Sequence, residues 1–126
     1  MKIVTKSFKQ LIKNADGIII SLAEHNGAYS AAFKNIIDWV SRLEKGIWSD
    51  TPMLLLATSP GGRGAKAVLE LAVNDFPRRG AQLAASFSLP SFGQNFNRDE
   101  GITDAELLEE FRKQLALFKT AVSNGA

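Results

Sequence analysis

Apolar positions along this chain switch between two spacings, and the switch divides it into alternating elements. Phe8, Leu11 and Ile12 recur at helical spacing between Lys6, Lys9 and Lys13, as on a helix that turns one face to a core. Residues 7–14 therefore read as the last turns of a helix. Asn14-Ala15-Asp16-Gly17 ends it, because Asn and Gly favour helix C-termini. Residues 17–22 are a short isoleucine-rich run, which suits a strand buried on both faces of a parallel sheet. Residues 30–43 then place Phe33, Ile36, Ile37, Val40 and Leu43 on one stripe, the pattern of an amphipathic helix.

Pro52 opens a second apolar run over residues 53–58, and Ser59-Pro60-Gly61-Gly62-Arg63-Gly64 is a loop. Ala65, Val68, Leu69, Ala72, Val73 and Phe76 form another helical stripe, closed by Arg78-Arg79-Gly80. Residues 82–89 alternate (Leu83, Ala85, Phe87, Leu89), as a strand at a sheet edge does. Residues 90–102 read as a loop. Thr103 and Glu106 make a capping box for a final helix whose stripe is Leu108, Phe111, Leu115, Phe118 and Val122. The order helix-end, β, α, β, α, β, α predicts a parallel sheet with helices on its faces and right-handed crossovers.

Composition narrows the chemistry. With 126 residues the chain suits one domain with a single core. Fifteen basic and thirteen acidic residues leave a formal charge of +2; the basic residues are scattered, so no nucleic-acid partner is expected. The absence of cysteine excludes thiol catalysis, disulfides and thiolate metal sites. A single histidine rules out a His-rich metal centre. No apolar run reaches the length of a membrane span or signal core, and a cytoplasmic location is the resulting expectation.

In open α/β sheets, ligands bind beyond the carboxyl ends of the strands. That rule selects two loops, residues 23–29 and residues 59–63, both glycine-bearing and both running into a helix N-terminus. Backbone N–H groups there can donate to a phosphate or to an acceptor-rich heterocycle; equally, Gly and Asn simply permit tight turns. Gly62-Arg63-Gly64-Ala65-Lys66-Ala67 fits a loose dinucleotide fingerprint, but no acidic residue follows at the required distance. His25 beside Glu24 and near Asp38 offers acid–base chemistry or an ordinary polar surface. Phe33 and Trp39 read as packing residues, and Lys34 with Asp38 as an exposed helical pair. Arg63 suits either an anion or solvent.

Three segments in order carry a resemblance. Glu24-His25-Asn26-Gly27 after the first strand and Lys34-Asn35-Ile36-Ile37-Asp38-Trp39 in the following helix, with Ser59-Pro60-Gly61-Gly62-Arg63 after the second strand, resemble the NAD(P)H-dependent FMN reductase family of flavodoxin-like proteins. That family shows Pro-Glu-Tyr-Asn-Gly and Lys-Asn-Ala-Ile-Asp-Trp at the first two places. Ala23 and His25 depart from it; histidine can still stack on a ring or hydrogen-bond to it.

The resemblance implies a flavodoxin-like three-layer α/β sandwich with a parallel sheet, present as the C-terminal portion (strands three to five). Residues 1–126 would then be one N-terminally incomplete domain. It implies an FMN cofactor, NADPH or NADH as reductant, and hydride transfer through FMN to a flavin, quinone or similar small-molecule acceptor. It also implies a homo-oligomer, dimer or tetramer. The implied flavin contacts are Glu24, His25, Asn26, Gly27, Ser59, Pro60, Gly61, Gly62 and Arg63, with no catalytic side chain and no metal. The family's phosphate loop follows its first strand, and a βαβ unit takes roughly 30 residues, more than the fourteen before Ala15. The first strand here is then expected to present an apolar edge that invites pairing. The alternative is a non-catalytic relative serving as a dimerisation or interaction module, or one completed by a separate chain.

Overall fold

A computed structural model describes residues 2–125. Its three main strands, β1 (Ile18–Leu22), β2 (Thr51–Thr58) and β3 (Ala81–Leu89), pair in parallel in the order β1-β2-β3. Register runs from Ile18 opposite Met53 to Leu22 opposite Ala57, and from Thr51 opposite Ala81 to Thr58 opposite Leu89. A bulge between Met53 and Leu54 shifts the second pairing. The central strand β2 is buried almost throughout, whereas β3 alternates, as their apolar runs and alternation predict. Both β1 and β3 are outer strands among the described residues.

Helices α1 (Lys2–Asn14), α2 (Ala31–Val40) and α3 (Lys66–Asp75), with a 3-10 turn over Phe76–Arg79, cover one face. Helix α5 (Ala105–Gly125) covers β2 and β3 from the other through Leu115, Phe118 and Val122. These are the three layers of the sandwich. Gly17 marks how closely α5 approaches: a Cβ there would lie 2.6 Å from Val122 Cγ2 and 2.9 Å from Phe118 Cζ.

Four details depart from the sequence reading. First, α1, whose last turns are residues 7–14 as expected, buries Thr5, Lys9 and Ile12, while Leu11, read as part of its packing stripe, is 70% exposed. Second, α2 ends at Val40, so Leu43 falls in the turn beyond it. Third, residues 90–102 are not plain loop; they hold a single helical turn, α4 (Phe92–Asn95), and a hairpin of β4 (Phe96–Asn97) and β5 (Gly101–Ile102). Fourth, the cap of α5 is Asp104, whose Oδ1 accepts the Leu107 N–H at 2.9 Å, and not the box expected of Thr103 and Glu106. Thr103 instead lies against α4, its N–H donating to the Asn95 carbonyl.

The core also draws on a segment without periodicity. Ile47 and Trp48, in the turn before β2, are wholly buried, and Trp48 stacks on Phe76 with centroids 4.6 Å apart. Lys9, only 4% exposed, holds this turn. Its ammonium donates to the carbonyls of Gly46 (2.8 Å) and Ile47 (2.7 Å) and to Ser49 Oγ (2.8 Å), with Glu44 Oε2 at 3.4 Å. The buried charge is thus paired and its hydrogens are engaged, the condition under which burial is tolerated. Lys13 also binds Glu44, and chiefly through that hydrogen bond the Glu44 carboxyl sits below its ordinary range. Its contribution is present at neutral pH and is lost as pH falls through the lowered value.

Replacing Lys9 with Met keeps the stem and removes the ammonium donor from the Ile47 carbonyl and from the Gly46 carbonyl, which still accepts the Ser49 N–H. The expected loss is about 2–4 kcal/mol of folding free energy, read by urea unfolding. A loss under about 0.5 kcal/mol, the level of ordinary surface changes, would show that the clamp carries no load.

Candidate functional site

Because β1 and β2 are parallel neighbours, the loops that follow them emerge side by side at one end of the sheet. The first is a tight reversal. His25 and Ala28 exchange backbone hydrogen bonds at 2.9 and 3.1 Å around Asn26 (φ 52°) and Gly27 (φ 80°). Two successive positive φ values make a turn of the kind Asn-Gly favours. His25, Asn26 and Gly27 are all exposed, and the turn lifts the His25 side chain at the sheet's end.

Glu24 behaves differently from its neighbours. It is half-buried, and its Oε1 accepts the backbone N–H of Val68 at 2.9 Å. Val68 lies in the first turn of α3, where N–H groups lack intrahelical partners and the helix dipole favours negative charge. The residue opening that helix, Ala65, is left-handed and brings no side-chain cap. Glu24 therefore caps α3 from across the sheet and ties the two loops together.

The second loop is fixed from behind. The Gly61 carbonyl accepts the N–H groups of Gly64 (3.3 Å) and Ser91 (2.9 Å), and the Ser59 carbonyl accepts that of Phe92 (3.0 Å). Gly64 (φ 59°) runs against β3: a Cβ there would collide with Ser88 Oγ and lie 2.9 Å from Pro90 N, and Ser88 Oγ donates to the Gly64 carbonyl at 2.7 Å. Only glycine fits that position. Thr58 Oγ1 adds a 2.7 Å bond to the Leu89 carbonyl. In front, Pro60, Gly61, Gly62 and Arg63 are exposed, and a Cβ at Gly61 or Gly62 would meet only open space. Among the described residues nothing accepts from the N–H groups of Gly61, Gly62 and Arg63.

The structure thus brings all nine sequence-selected residues to one end of the sheet, in two roles. Glu24 faces inward to α3, and the Ser59 side chain turns back to the Gly61 carbonyl (3.3 Å). His25, Asn26, Gly27, Pro60, Gly61, Gly62 and Arg63 face outward. The supports supplied by Ser88, Ser91 and Phe92 escaped sequence reading; the one signal was the Pro90-Ser91 pair ending the third strand. On the helix, Lys34 and Asp38 pair at 2.7 Å on the surface, and Phe33 packs between Tyr29 and Phe76. Trp39, expected to pack, is instead half exposed.

Tyr29 closes the first loop. Its hydroxyl is buried without a hydrogen-bond partner. Burial, with Asp75 nearby, pushes its ionisation up to about 12.

No metal centre accompanies the loops: among the described residues no cluster of three or more His, Cys, Asp or Glu could hold an ion. No helix there is long and apolar enough to cross a membrane.

A parallel three-layer sandwich with two glycine-bearing loops at its carboxyl end is the architecture of a flavodoxin-like protein. The flavoenzyme NAD(P)H:(acceptor) oxidoreductase FerB from Paracoccus denitrificans shares it, with a TM-score of 0.74 and 23% identity over 96% of this chain and 68% of that one. The family model of NADPH-dependent FMN reductase matches residues 2–94, and the chain belongs to that family. Among curated relatives, an NADPH:quinone oxidoreductase of Arabidopsis thaliana is 35% identical over 68 residues, 54% of this chain and 34% of that protein. A 2-hydroxy-1,4-benzoquinone reductase of a Burkholderia species is 37% identical over 62 residues, 48% and 34% of the two chains. An NADH:(hydroxy)cinnamate reductase subunit of Vibrio ruber is 34% identical over 116 residues, 85% and 56%. The chain therefore spans about a third to a little over half the length of these relatives.

Glu24→Ala is expected to destabilise the protein by about 1–2 kcal/mol, the worth of a helix cap with its charge. Glu24→Gln, which keeps an acceptor, should cost less than half as much. Thermal unfolding of the two variants measures both, and equal losses would remove the cap from the account. For Tyr29 the raised ionisation means that folding favours the protonated phenol. That contribution is complete below pH 10 and is lost as pH rises toward about 12, so stability should fall across this alkaline window. Tyr29→Phe removes the unpaired hydroxyl. Its unfolding midpoint should be no lower than the parent's at pH 7 and should lack the parent's decline above pH 10.

Proposed function

We propose that this chain carries the flavin-ring end of an FMN-dependent reductase, with residues 1–126 acting as one flavodoxin-like unit. Electrons come from NADPH or NADH and pass to a quinone, a flavin or a similar small-molecule acceptor. A homo-oligomer and a cytoplasmic location belong to the same reading.

The observation that carries it is the row of N–H groups at Gly61, Gly62 and Arg63, free among the described residues and bare of Cβ atoms at the two glycines. Such a row suits the carbonyl and nitrogen acceptors along the edge of an isoalloxazine ring. The exposed Arg63 guanidinium adds positive charge where a reduced flavin is negative. In this reading His25, Asn26 and Gly27, on the neighbouring strand's loop that Glu24 ties to α3, supply the ring's second set of contacts. When bound, FMN supplies the hydride chemistry. The protein's part is to orient the ring and set its charge, and no side chain here has to act as nucleophile or base.

The segment before β1 is helix α1, so among the described residues the ring's contacts come from the two loops and the phosphate has no loop of its own. The test therefore sets the ring alone beside the whole cofactor. Titration into the purified chain should quench flavin fluorescence saturably for both FMN and riboflavin, with dissociation constants within about tenfold of each other. Gly62→Val sets a branched side chain over the N–H row in open space. It should leave the unfolding midpoint unchanged and weaken flavin binding at least tenfold. A folded protein that quenches neither flavin would end this reading.

A second reading, an interaction module without catalysis, is favoured by β1. That strand is unpaired on its outer edge among the described residues, and Ile19 on it is 54% exposed. Light scattering with no flavin binding at any concentration would support it.

A further inference from the structure

A cleft of about 370 Å³ opens on the α5 face of the sheet, against Leu56 of β2. Four of the chain's eight phenylalanines line it: Phe87 of β3, Phe111 of α5, and Phe92 and Phe96 of the flap formed by residues 90–102. None of its lining residues belongs to loop 23–29 or loop 59–63, so its ligand is a question separate from the flavin. We propose that this cleft binds a small organic cation, a quaternary ammonium carried on an apolar body.

The rings favour that class. The volume lies within the range of small-molecule sites. An aliphatic lining would take any apolar molecule alike. An aromatic lining adds the negative face of each ring, which attracts a cation lying within about 6 Å of the ring centroid. Phe92 and Phe96 stack with centroids 4.8 Å apart and 17° between planes, so each keeps one face clear of the other. They remain 39% and 37% exposed, a paired aromatic surface left open. Phe87 and Phe111, more deeply set, meet edge-to-face at 5.4 Å.

Charge points the same way. Glu100 is the one ionisable residue in the lining, and no Lys, Arg or His accompanies it. Its carboxylate has no hydrogen-bond or ion-pair partner among the described residues. Its place is nonetheless set by the main chain: Asn97 Oδ1 accepts the N–H groups of Asp99 (2.8 Å) and Glu100 (3.4 Å), and Gly101 follows with φ 80°. An unpaired carboxylate beside four rings attracts cations and repels anions. A hard metal ion is a poor occupant, because it takes several oxygen ligands and the cleft offers one carboxylate. A quaternary ammonium has no N–H to satisfy, so an apolar wall costs it no hydrogen bond.

The flap that carries the stacked rings is held before any ligand arrives. Phe92 N–H donates to the Ser59 carbonyl and Ser91 N–H to the Gly61 carbonyl. Asn95 Nδ2 reaches the Pro90 carbonyl at 2.8 Å, and Thr103 N–H reaches the Asn95 carbonyl at 2.9 Å. Pre-ordering of this kind lowers the cost of binding.

The test is an amide NMR titration of the flavin-free 126-residue protein with three probes on one benzyl frame: benzyltrimethylammonium, benzyl methyl sulfone and phenylmethanesulfonate. Their head groups differ in charge, so the comparison isolates it. The cation should give saturable shifts at Phe87, in residues 92–102 and at Phe111. The neutral sulfone should bind at least about tenfold more weakly, and the sulfonate more weakly still. Glu100→Gln should narrow the gap between cation and sulfone. Phe92→Leu with Phe96→Leu keeps apolar bulk at two exposed positions and removes both ring faces. This double variant should keep the parent's unfolding midpoint and weaken the cation at least about tenfold while changing the sulfone little. Equal affinity for the three probes, no saturable shift, shifts confined elsewhere, or a cation preference unmoved in either variant would each overturn the proposal. So would the same shifts on dilution without a probe, which would place a second copy in the cleft. Cation binding by a protein that quenches no flavin would uphold this site while ending the flavin reading.

Discussion

The hydrogen bond from the Val68 N–H to Glu24 Oε1 is the interaction on which the organised end of this molecule depends. Parallel strands set their C-terminal loops side by side but do not fix one loop against the other. Here the chain enters α3 through two successive left-handed residues, Gly64 and Ala65, so the helix begins without a local side-chain cap. A carboxylate from the neighbouring strand's loop supplies it. The same bond satisfies an orphan N–H, places negative charge at the positive end of a helix and holds loop 24–28 beside loop 59–64. A residue that reads as a ligand contact thus has an internal task, and the residues around it are the ones left facing outward.

The opposite end is held by a second charge. Lys9 reaches across from α1 to the Gly46 and Ile47 carbonyls of the turn that carries Ile47 and Trp48 into the core. Trp48 then stacks on Phe76, Phe76 on Phe33, and Phe33 meets Tyr29 at the root of the first loop. One continuous aromatic column therefore runs from the Lys9 clamp to the candidate site. Packing at close-packed density transmits displacement along such a column.

This arrangement explains what sequence could and could not reveal. Strands β2 and β3 were legible because β2 is buried on both faces and β3 on alternate positions, whereas β1, read as buried on both faces, leaves Ile19 54% exposed. Helix α1 was legible only at its end. Its buried stripe includes Thr5 and Lys9, while Ile3, Val4 and Leu11 are exposed, so hydropathy and burial disagree along it. Ile47 and Trp48 were missed for a related reason: a core contribution from a turn has no period. The cap of α5 fell one residue from its expected place because Thr103 is engaged by α4 and leaves Asp104 to accept from Leu107. As for the site, strand order alone selects both loops. Their division of labour was hidden, since the Glu24–Val68 contact joins residues 44 positions apart.

The flap of residues 90–102 was the least legible part, and it is the part that adds most. Read linearly, Pro90, Ser91, Gly93, Asn95 and Asn97 are turn formers, and no spacing of Phe92 and Phe96 distinguishes a floppy loop from a folded one. Three-dimensional closure does distinguish them. The flap returns to the loop it follows, and its two rings come together over a cleft that the sheet and α5 already line. Those hydrogen bonds run to Ser59 and Gly61, inside the stretch whose N–H groups are free. The main chain of the flap is therefore anchored to that stretch.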